Sequence, residues 1–229
     1  MNHLDFSLEI KSLPAPADPD SCALGHERWI EALRSSGDSD CQAAAQGAGA
    51  NSAINTLLDS LFGNSPYLTQ CAISSPKFVL EIISHGPEWA CGNIEERLTH
   101  LQNDPDVDEA RVMRDLRLAK RDLSLAVAIA DIADIWSVEQ ITRALSDFAD
   151  KTLSCAASYA LRKAAASGAI SLAHEDDPER DSGYIILGMG KLGAGELNYS
   201  SDIDLIILFD PEVIQTDKPD DLQRQFVRI

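Results

Sequence analysis

YIILGMGKLGAGELNYSSDIDLIILF, residues 184 to 209, is where the character of the chain changes. Tyr184 to Leu187 and Leu205 to Phe209 are short apolar runs of β-branched and aromatic residues, which predicts two buried strands. The link between them begins rich in glycine and ends polar. Gly188-Met-Gly-Lys-Leu-Gly193 fits G-x-G-x-x-G after a strand, so a dinucleotide-binding unit is the first reading to test. Such a unit needs a crossover helix before its next parallel strand, roughly 10 to 12 residues at the least. Here much of the available space is Asn198-Tyr-Ser-Ser-Asp202, polar and poor for helix, and the reading fails. A phosphate loop ending in Gly-Lys-Ser/Thr fails too, because Gly190-Lys191 is followed by Leu192, which has no hydroxyl for a magnesium ion.

What remains is Asp202-Ile203-Asp204 at the opening of the second strand. Residues two apart in a strand project to the same face, so both carboxylates are expected on one side with Ile203 turned into the core. Two carboxylates held together repel unless a cation neutralises them, and hard oxygen ligands suit Mg²⁺ or Mn²⁺. The glycine-rich turn upstream lets backbone amides approach a phosphate without side-chain obstruction. A metal beside a phosphate cradle is the equipment of nucleotidyl transfer.

Upstream, residues 53–173 have a helical pattern, with apolar residues recurring at spacings of three and four. Ile54, Leu57, Leu58 and Leu61 line a first helix that stops at Gly63. Phe78, Val79, Ile82 and Ile83 line a second, ended by His-Gly-Pro at 85 to 87. From Asp108 to Ile135, Val112, Leu116, Leu123, Val127 and Ala130 form a stripe. Arg114, Arg117, Lys120 and Arg121 lie around it, interleaved with Asp115 and Asp122, and read as a solvated face. Ser137 with Gln140 three residues on has the spacing of a capping box, opening a helix through Leu161. Together these helices most simply form an antiparallel bundle. Residues 1–52 mix Pro, Gly, Ser and Ala around one expected helix, His26 to Ser35, and predict a loosely ordered lead-in. Residues 174–182, HEDDPERDS, read as a solvated linker. The expected class is therefore α+β: lead-in (1–52), helical region (53–173) and the start of a sheet domain (183–229).

Composition narrows the function. The 229 residues carry 37 acidic against 19 basic side chains, a formal charge of −18, which repels phosphate backbones and argues against nucleic acid as a partner. Carboxylate-held divalent metals can still invert the local field, so a phosphate-handling enzyme remains open. The five cysteines have no C-x-x-C spacing, predicting neither a disulfide framework nor a zinc site. His26, His85 and His100 show no ligand spacing, and His174 reads as a linker residue. No apolar run approaches the ~20 residues of a membrane span and the N-terminus lacks a signal pattern, so no membrane partner and a cytoplasmic location are expected.

Gly190-Lys191 lies twelve residues before Asp202, with an expected strand on either side. The set resembles the glycine-turn and D-x-D signature of the DNA polymerase beta-like nucleotidyltransferases, with Lys191 where a serine is usual. GMGKLGAGELNYSSDIDLIILFD (188–210), together with LFGNSPYL (61–68), Pro76 and the helical stretch 121–150, is similar to the glutamine synthetase adenylyltransferase / adenylyl-removing enzyme family. The resemblance runs from about Ile54 to the last residue. It implies a nucleotidyltransferase sheet domain and the adenylyl-removing activity, in which phosphate releases AMP from adenylylated glutamine synthetase as ADP. It implies Mg²⁺ or Mn²⁺ held by catalytic Asp202 and Asp204, with Gly190, Lys191, Gly193 and Ser201 around phosphate or nucleotide. Glutamine synthetase, the PII signalling protein, nucleotide and phosphate are the implied partners, with no nucleic acid.

Read without the resemblance, Ser200 and Ser201 bond the backbone before the strand, while Glu196 and Asn198 orient the glycine turn or cap the link. Two departures stand out. Ala194-Gly195 replaces a Gly-Arg type of pair, removing one side chain from the phosphate. The family's third carboxylate and its second, adenylylating half find no match in these residues, so a fragment is expected. A sheet ending at Phe209 should leave an unpaired edge and an exposed apolar face, with aggregation as the consequence. The alternative function is a catalytically incomplete fragment that only docks glutamine synthetase or PII.

Overall fold

The structure, a computed structural model, describes residues 13–47, 52–216 and 222–226. It is mostly helical with one small antiparallel sheet, consistent with an α+β class. The chain divides into two compact units, residues 1–94 with 119–141, and residues 95–118 with 142–229.

In the first unit, α1 (Pro19–Ser35) and α2 (Ser39–Gln46) occupy the stretch expected as a loose lead-in. Both are capped in the way short helices need: Asp18 accepts from the amides of Asp20 and Ser21, and Asp38 from those of Asp40 and Cys41. Their inner faces bury Cys22, Trp29, Leu33, Cys41 and Ala45. The correction has a physical reason. Polar composition between the apolar residues hid a face of period 3.6, which starts earlier than His26 because Asp18-Pro19 is itself a cap followed by a first-turn proline. Residues 1–12 of the expected lead-in lie outside the described residues.

α3 (Ser52–Phe62), α4 (Pro66–Ser74) and α5 (Pro76–His85) follow. Pro66, Pro76 and Pro87 each open the first turn of a helix, so the His-Gly-Pro read as a stop also starts the next helix, since proline there gives up only an amide that had no helical acceptor. Leu57, Leu58, Leu61, Phe62, Val79 and Ile82 form much of this core. α6 (Pro87–Asn103), α7 (Glu109–Ile132) and α8 (Val138–Ala166) complete the helical region. In α7 every residue from Asp122 to Ala130 is buried, so that half is enclosed on all sides rather than striped. Asp122 is kept there by the Ser75 hydroxyl, which donates to it at 3.2 Å. At the start of α8 the capping box is present: the Ser137 amide donates to Gln140 Oε1 (2.9 Å) and the Gln140 amide to Ser137 Oγ (3.4 Å).

The second unit contains β1 (Tyr184–Gly188), α9 (Gly190–Ala194), β2 (Leu205–Phe209) and α10 (Leu222–Phe226). β1 and β2 pair antiparallel with Tyr184 opposite Phe209 and Gly188 opposite Leu205. Leu161, Ala164, Ile170, Ile214, Leu222 and Phe226 form a cluster against which Tyr184 and Phe209 pack. Phe226 stacks on both rings, at 5.8 and 5.0 Å. The strands were expected to be buried, and they are not. Ile185, Leu187, Ile206 and Leu208 share one face in this register and each is more than 40% exposed. Ile203, expected in the core, is likewise exposed. Among the described residues no element covers that face, so an apolar run alone gave the strands correctly and their burial wrongly.

The stretch expected as a solvated linker is anchored. One carboxylate oxygen of Glu179 accepts from Ser154 Oγ (2.5 Å), Ser158 Oγ (2.8 Å) and Gln102 Nε2 (3.1 Å), and Pro178 beside it is buried. Three donors on one oxygen hold the entry to the sheet against α8 and the end of α6.

Candidate active site

The link from β1 to β2 is built by glycines with distinct tasks. Gly190 opens α9 with φ +56°, and Gly195 ends it with φ +71°, conformations that a side chain disfavours. At that end the Glu196 amide donates to the Lys191 carbonyl (2.8 Å) and the Gly195 amide to that of Leu192 (2.9 Å), the pair of bonds of a Schellman stop. Gly195 therefore supplies backbone geometry. Gly193 has a steric task, since a Cβ there would stand 2.4 Å from the Gly188 carbonyl oxygen. The Gly193 amide is itself used inside the turn, donating to the Met189 carbonyl at 3.2 Å. Gly190 and Lys191 carry the first-turn amides, which have no acceptor within a helix.

The ladder sets the aspartates. The Met189 amide donates to the Asp204 carbonyl at 2.8 Å, extending the pairing one step past Gly188 and Leu205. This brings the Asp204 side chain to the mouth of the turn: Oδ2 lies 3.9 Å from where a Cβ on Gly190 would be. A Cβ there would be in ordinary contact with that oxygen, and it is the positive φ that favours glycine at 190. Asp202 and Asp204 are both exposed and precede β2, in residues 201–204.

Before them is a polar knot. Ser201 Oγ donates to Asn198 Oδ1 (2.7 Å), the Ser200 amide donates to the same oxygen (3.2 Å), and the Asn198 amide donates back to Ser201 Oγ (3.2 Å). The residue-level reading of Ser201, a backbone-ordering hydroxyl, matches this placement, and Asn198 is the residue that organises the link. The segment is pinned from below by Leu197, whose buried amide donates to Ser146 Oγ on α8 at 3.1 Å.

The structure thus brings Gly190 and Asp204 together and places Gly193 in the frame of the turn. Lys191 is exposed on α9. Sequence reasoning missed Arg143. This α8 side chain forms an ion pair with Asp147 (3.0 Å) and sets its Nη1 3.5 Å from where a Cβ on Gly195 would be. No local pattern joins residues 143 and 195; only the fold does.

For a divalent cation, Asp202 and Asp204 offer two exposed carboxylates, a donor set that fits a hard ion completing its shell with water and substrate oxygens. Among the described residues the one group of three potential ligand atoms within 4.8 Å of one another lies elsewhere, at Cys22, His26 and Asp59. Neither the scattered cysteines nor the histidine spacings had signalled it. No helix of the described residues is long and apolar enough to cross a membrane.

Comparison with known proteins places these elements in context. The family model described as glutamate-ammonia ligase adenylyltransferase matches residues 55–229. A protein of Rhodopseudomonas palustris named bifunctional glutamine synthetase adenylyltransferase/adenylyl-removing enzyme is 37% identical over 213 residues, 90% of this chain and 21% of that protein. Proteins with the same name are 48% identical over 121 residues in a Bradyrhizobium sp. (53% of this chain, 12% of that protein) and 37% identical over 180 residues in Rhizobium meliloti (77% and 18%). The chain spans about a fifth of the length of the curated relatives it matches over most of its length.

Proposed function

This chain belongs to the glutamate-ammonia ligase adenylyltransferase family, and from that premise we propose that it is the N-terminal, adenylyl-removing part of such an enzyme, with residues 183–229 opening a nucleotidyltransferase sheet domain. The observation that carries the reading is the convergence of an all-backbone glycine turn and the Asp204 carboxylate at one strand end. The substrate is adenylylated glutamine synthetase. An oxygen of inorganic phosphate attacks the phosphorus of the AMP group, the bond from that phosphorus to the glutamine synthetase side-chain oxygen breaks, the proton of the phosphate passes to that oxygen, and ADP and the unmodified side chain are released.

Asp202 and Asp204 would hold Mg²⁺ or Mn²⁺, whose charge, when bound, stabilises the attacking and leaving oxygens. The residues of the chain position the reactants around it. The Gly190 and Lys191 amides contact phosphate oxygens, and the Lys191 side chain adds a point charge. Gly193 keeps α9 against β1, so those amides stay aligned with Asp204. Ser201 acts by fixing the approach to Asp202 with Asn198, and touches nucleotide only through the oxygen left by that bond. Arg143 stands beside Gly195, where the chain lacks the family's arginine side chain, and supplies the guanidinium from α8 instead. A nitrogen-regulatory role, sensing through PII and a cytoplasmic location complete the proposal.

The experiment is phosphorolysis by the full-length protein. Asp202→Asn and Asp204→Asn should each abolish ADP release from adenylylated glutamine synthetase while preserving the circular dichroism spectrum. ADP release at the unaltered rate by either variant would overturn the assignment of the aspartates.

A further inference from the structure

We propose that Cys22, His26 and Asp59 form a binding site for one zinc-class cation, which clasps α1 to α3. Cys22 and His26 stand four residues apart on α1, so they share a face, and Asp59 comes from the last turns of α3. The site lies in the first compact unit, whereas the candidate active site lies in the second. The inference therefore rests on no part of the adenylyl-removal reading.

The spacings are those of a metal centre within a small adjustment. All three ligand atoms lie within 4.8 Å of one another. Cys22 Sγ is 3.4 Å from Asp59 Oδ1, and His26 Nε2 is 2.6 Å from the same oxygen. Zinc bonds of about 2.3 Å to sulfur and about 2.0 Å to nitrogen and oxygen, at tetrahedral angles, put sulfur and oxygen about 3.5 Å apart and nitrogen and oxygen about 3.3 Å apart. The Cys22 and Asp59 atoms already stand at that separation. The His26 and Asp59 atoms must part by about 0.7 Å to reach it, which Asp59 can do because its side chain is 40% exposed.

The surroundings hold the ligands in place. Gly25, between them on α1, lets Phe62 come to 2.7 Å from where a Cβ would be, so the two helices approach closely at this point. The His26 ring meets Phe62 edge-on at 5.1 Å, which fixes its plane. Cys22 is buried and sheltered, while the exposed edges of His26 and Asp59 leave one side open to a water as fourth ligand. A sulfur, nitrogen and oxygen set selects zinc over magnesium or calcium. On binding, the Cys22 thiol loses its proton to solvent and a sulfur–metal bond replaces the hydrogen bond to Asp59, while His26 binds as the neutral imidazole. Without a metal the same three groups form a hydrogen-bonded set centred on Asp59 Oδ1, and the test must separate the two.

The full-length protein, stripped with a chelator, is titrated with Co²⁺ as a spectroscopic probe and then challenged with Zn²⁺. One equivalent of Co²⁺ should bind with a thiolate-to-cobalt charge-transfer absorption, and Zn²⁺ should displace it. Cys22→Ser should lose that absorption. Losing an outer partner of a metal ligand already weakens binding about 10- to 100-fold, so Asp59→Asn, which keeps the side-chain shape and can still bond to His26, should lower zinc affinity at least that much. A titration with no thiolate absorption would show a hydrogen-bonded set only, whereas an absorption surviving in Cys22→Ser or unchanged zinc affinity in Asp59→Asn would show metal held by other groups, and each outcome would overturn the proposal.

Discussion

Gly193→Ala and Gly92→Ala are the same chemical change with opposite expected signs. At Gly193 the new Cβ would meet the Gly188 carbonyl oxygen at 2.4 Å and its carbon at 3.2 Å. Ordinary contact begins at 3.4 Å, so α9 and β1 must separate by about 1 Å. Neither side is free to yield, because Gly188 is paired with Leu205 and the next amide, of Met189, is bonded to Asp204. Forcing a methyl into such a contact costs about 1–3 kcal/mol. Local opening of the ladder then becomes about 5- to 150-fold more frequent, which native-state hydrogen exchange reads directly at the amides of Met189 and the two strands. At Gly92, inside α6, a Cβ meets nothing within 4 Å, and alanine should stabilise the helix by about 1 kcal/mol. On the proposed function, the ~1 Å shift at Gly193 should also lower phosphorolysis by the full-length protein about 100-fold. Unchanged exchange at Met189 and the strand amides in Gly193→Ala would refute the steric role assigned to this glycine, whatever happens to activity.

Other outcomes follow from single contacts. Ser146→Ala leaves the buried Leu197 amide without its acceptor, at a cost of about 1–3 kcal/mol; faster exchange of that one amide is the readout, and unaltered exchange would mean another acceptor takes over. Ser137→Ala removes one half of the capping box at α8 and should lower stability by about 1 kcal/mol in denaturant unfolding, against no change if the cap is idle. Asp38 is held down at about 2, first by Lys77, whose Nζ lies 2.7 Å away, and then by the Cys41 amide at the start of α2. Its folded value is depressed, so its contribution is complete above the ordinary aspartate range near pH ~4 and is lost as the pH falls from there toward 2. Lys77→Ala should shift the Asp38 titration upward, seen by carboxyl NMR; an unmoved curve would sink the pairing.

What could be read from the sequence were the local rules. The helix faces of α3 and α5, the Ser137–Gln140 box and both strands depend on spacings within a few residues, and the structure has them; in α7 the helix is there but its second half is buried all round. What escaped depends on distant partners. The strands look buried in the sequence because apolar runs usually are, but burial is decided by what lies opposite, and Ile185 and Leu208 are left more than 40% exposed. α1 was under-read because its core face is made by Cys22, Gly25 and Trp29, and Gly25 becomes a core residue only through Phe62. Arg143 beside Gly195, and Asp59 beside His26, are likewise pairings that chain distance conceals.

The Glu179 anchor bears on how this sheet could be exchanged among related enzymes. Charge and proline make residues 174–182 look like the natural seam at which to splice one sheet module onto another helical region. The three donors converging on Glu179 come from Gln102, Ser154 and Ser158, all on the helical side of that seam. A chimera joined there would carry the carboxylate away from its donors or leave the donors behind. Transplantation should succeed only when the seam is moved C-terminal to Glu179, or when the three donors travel with it.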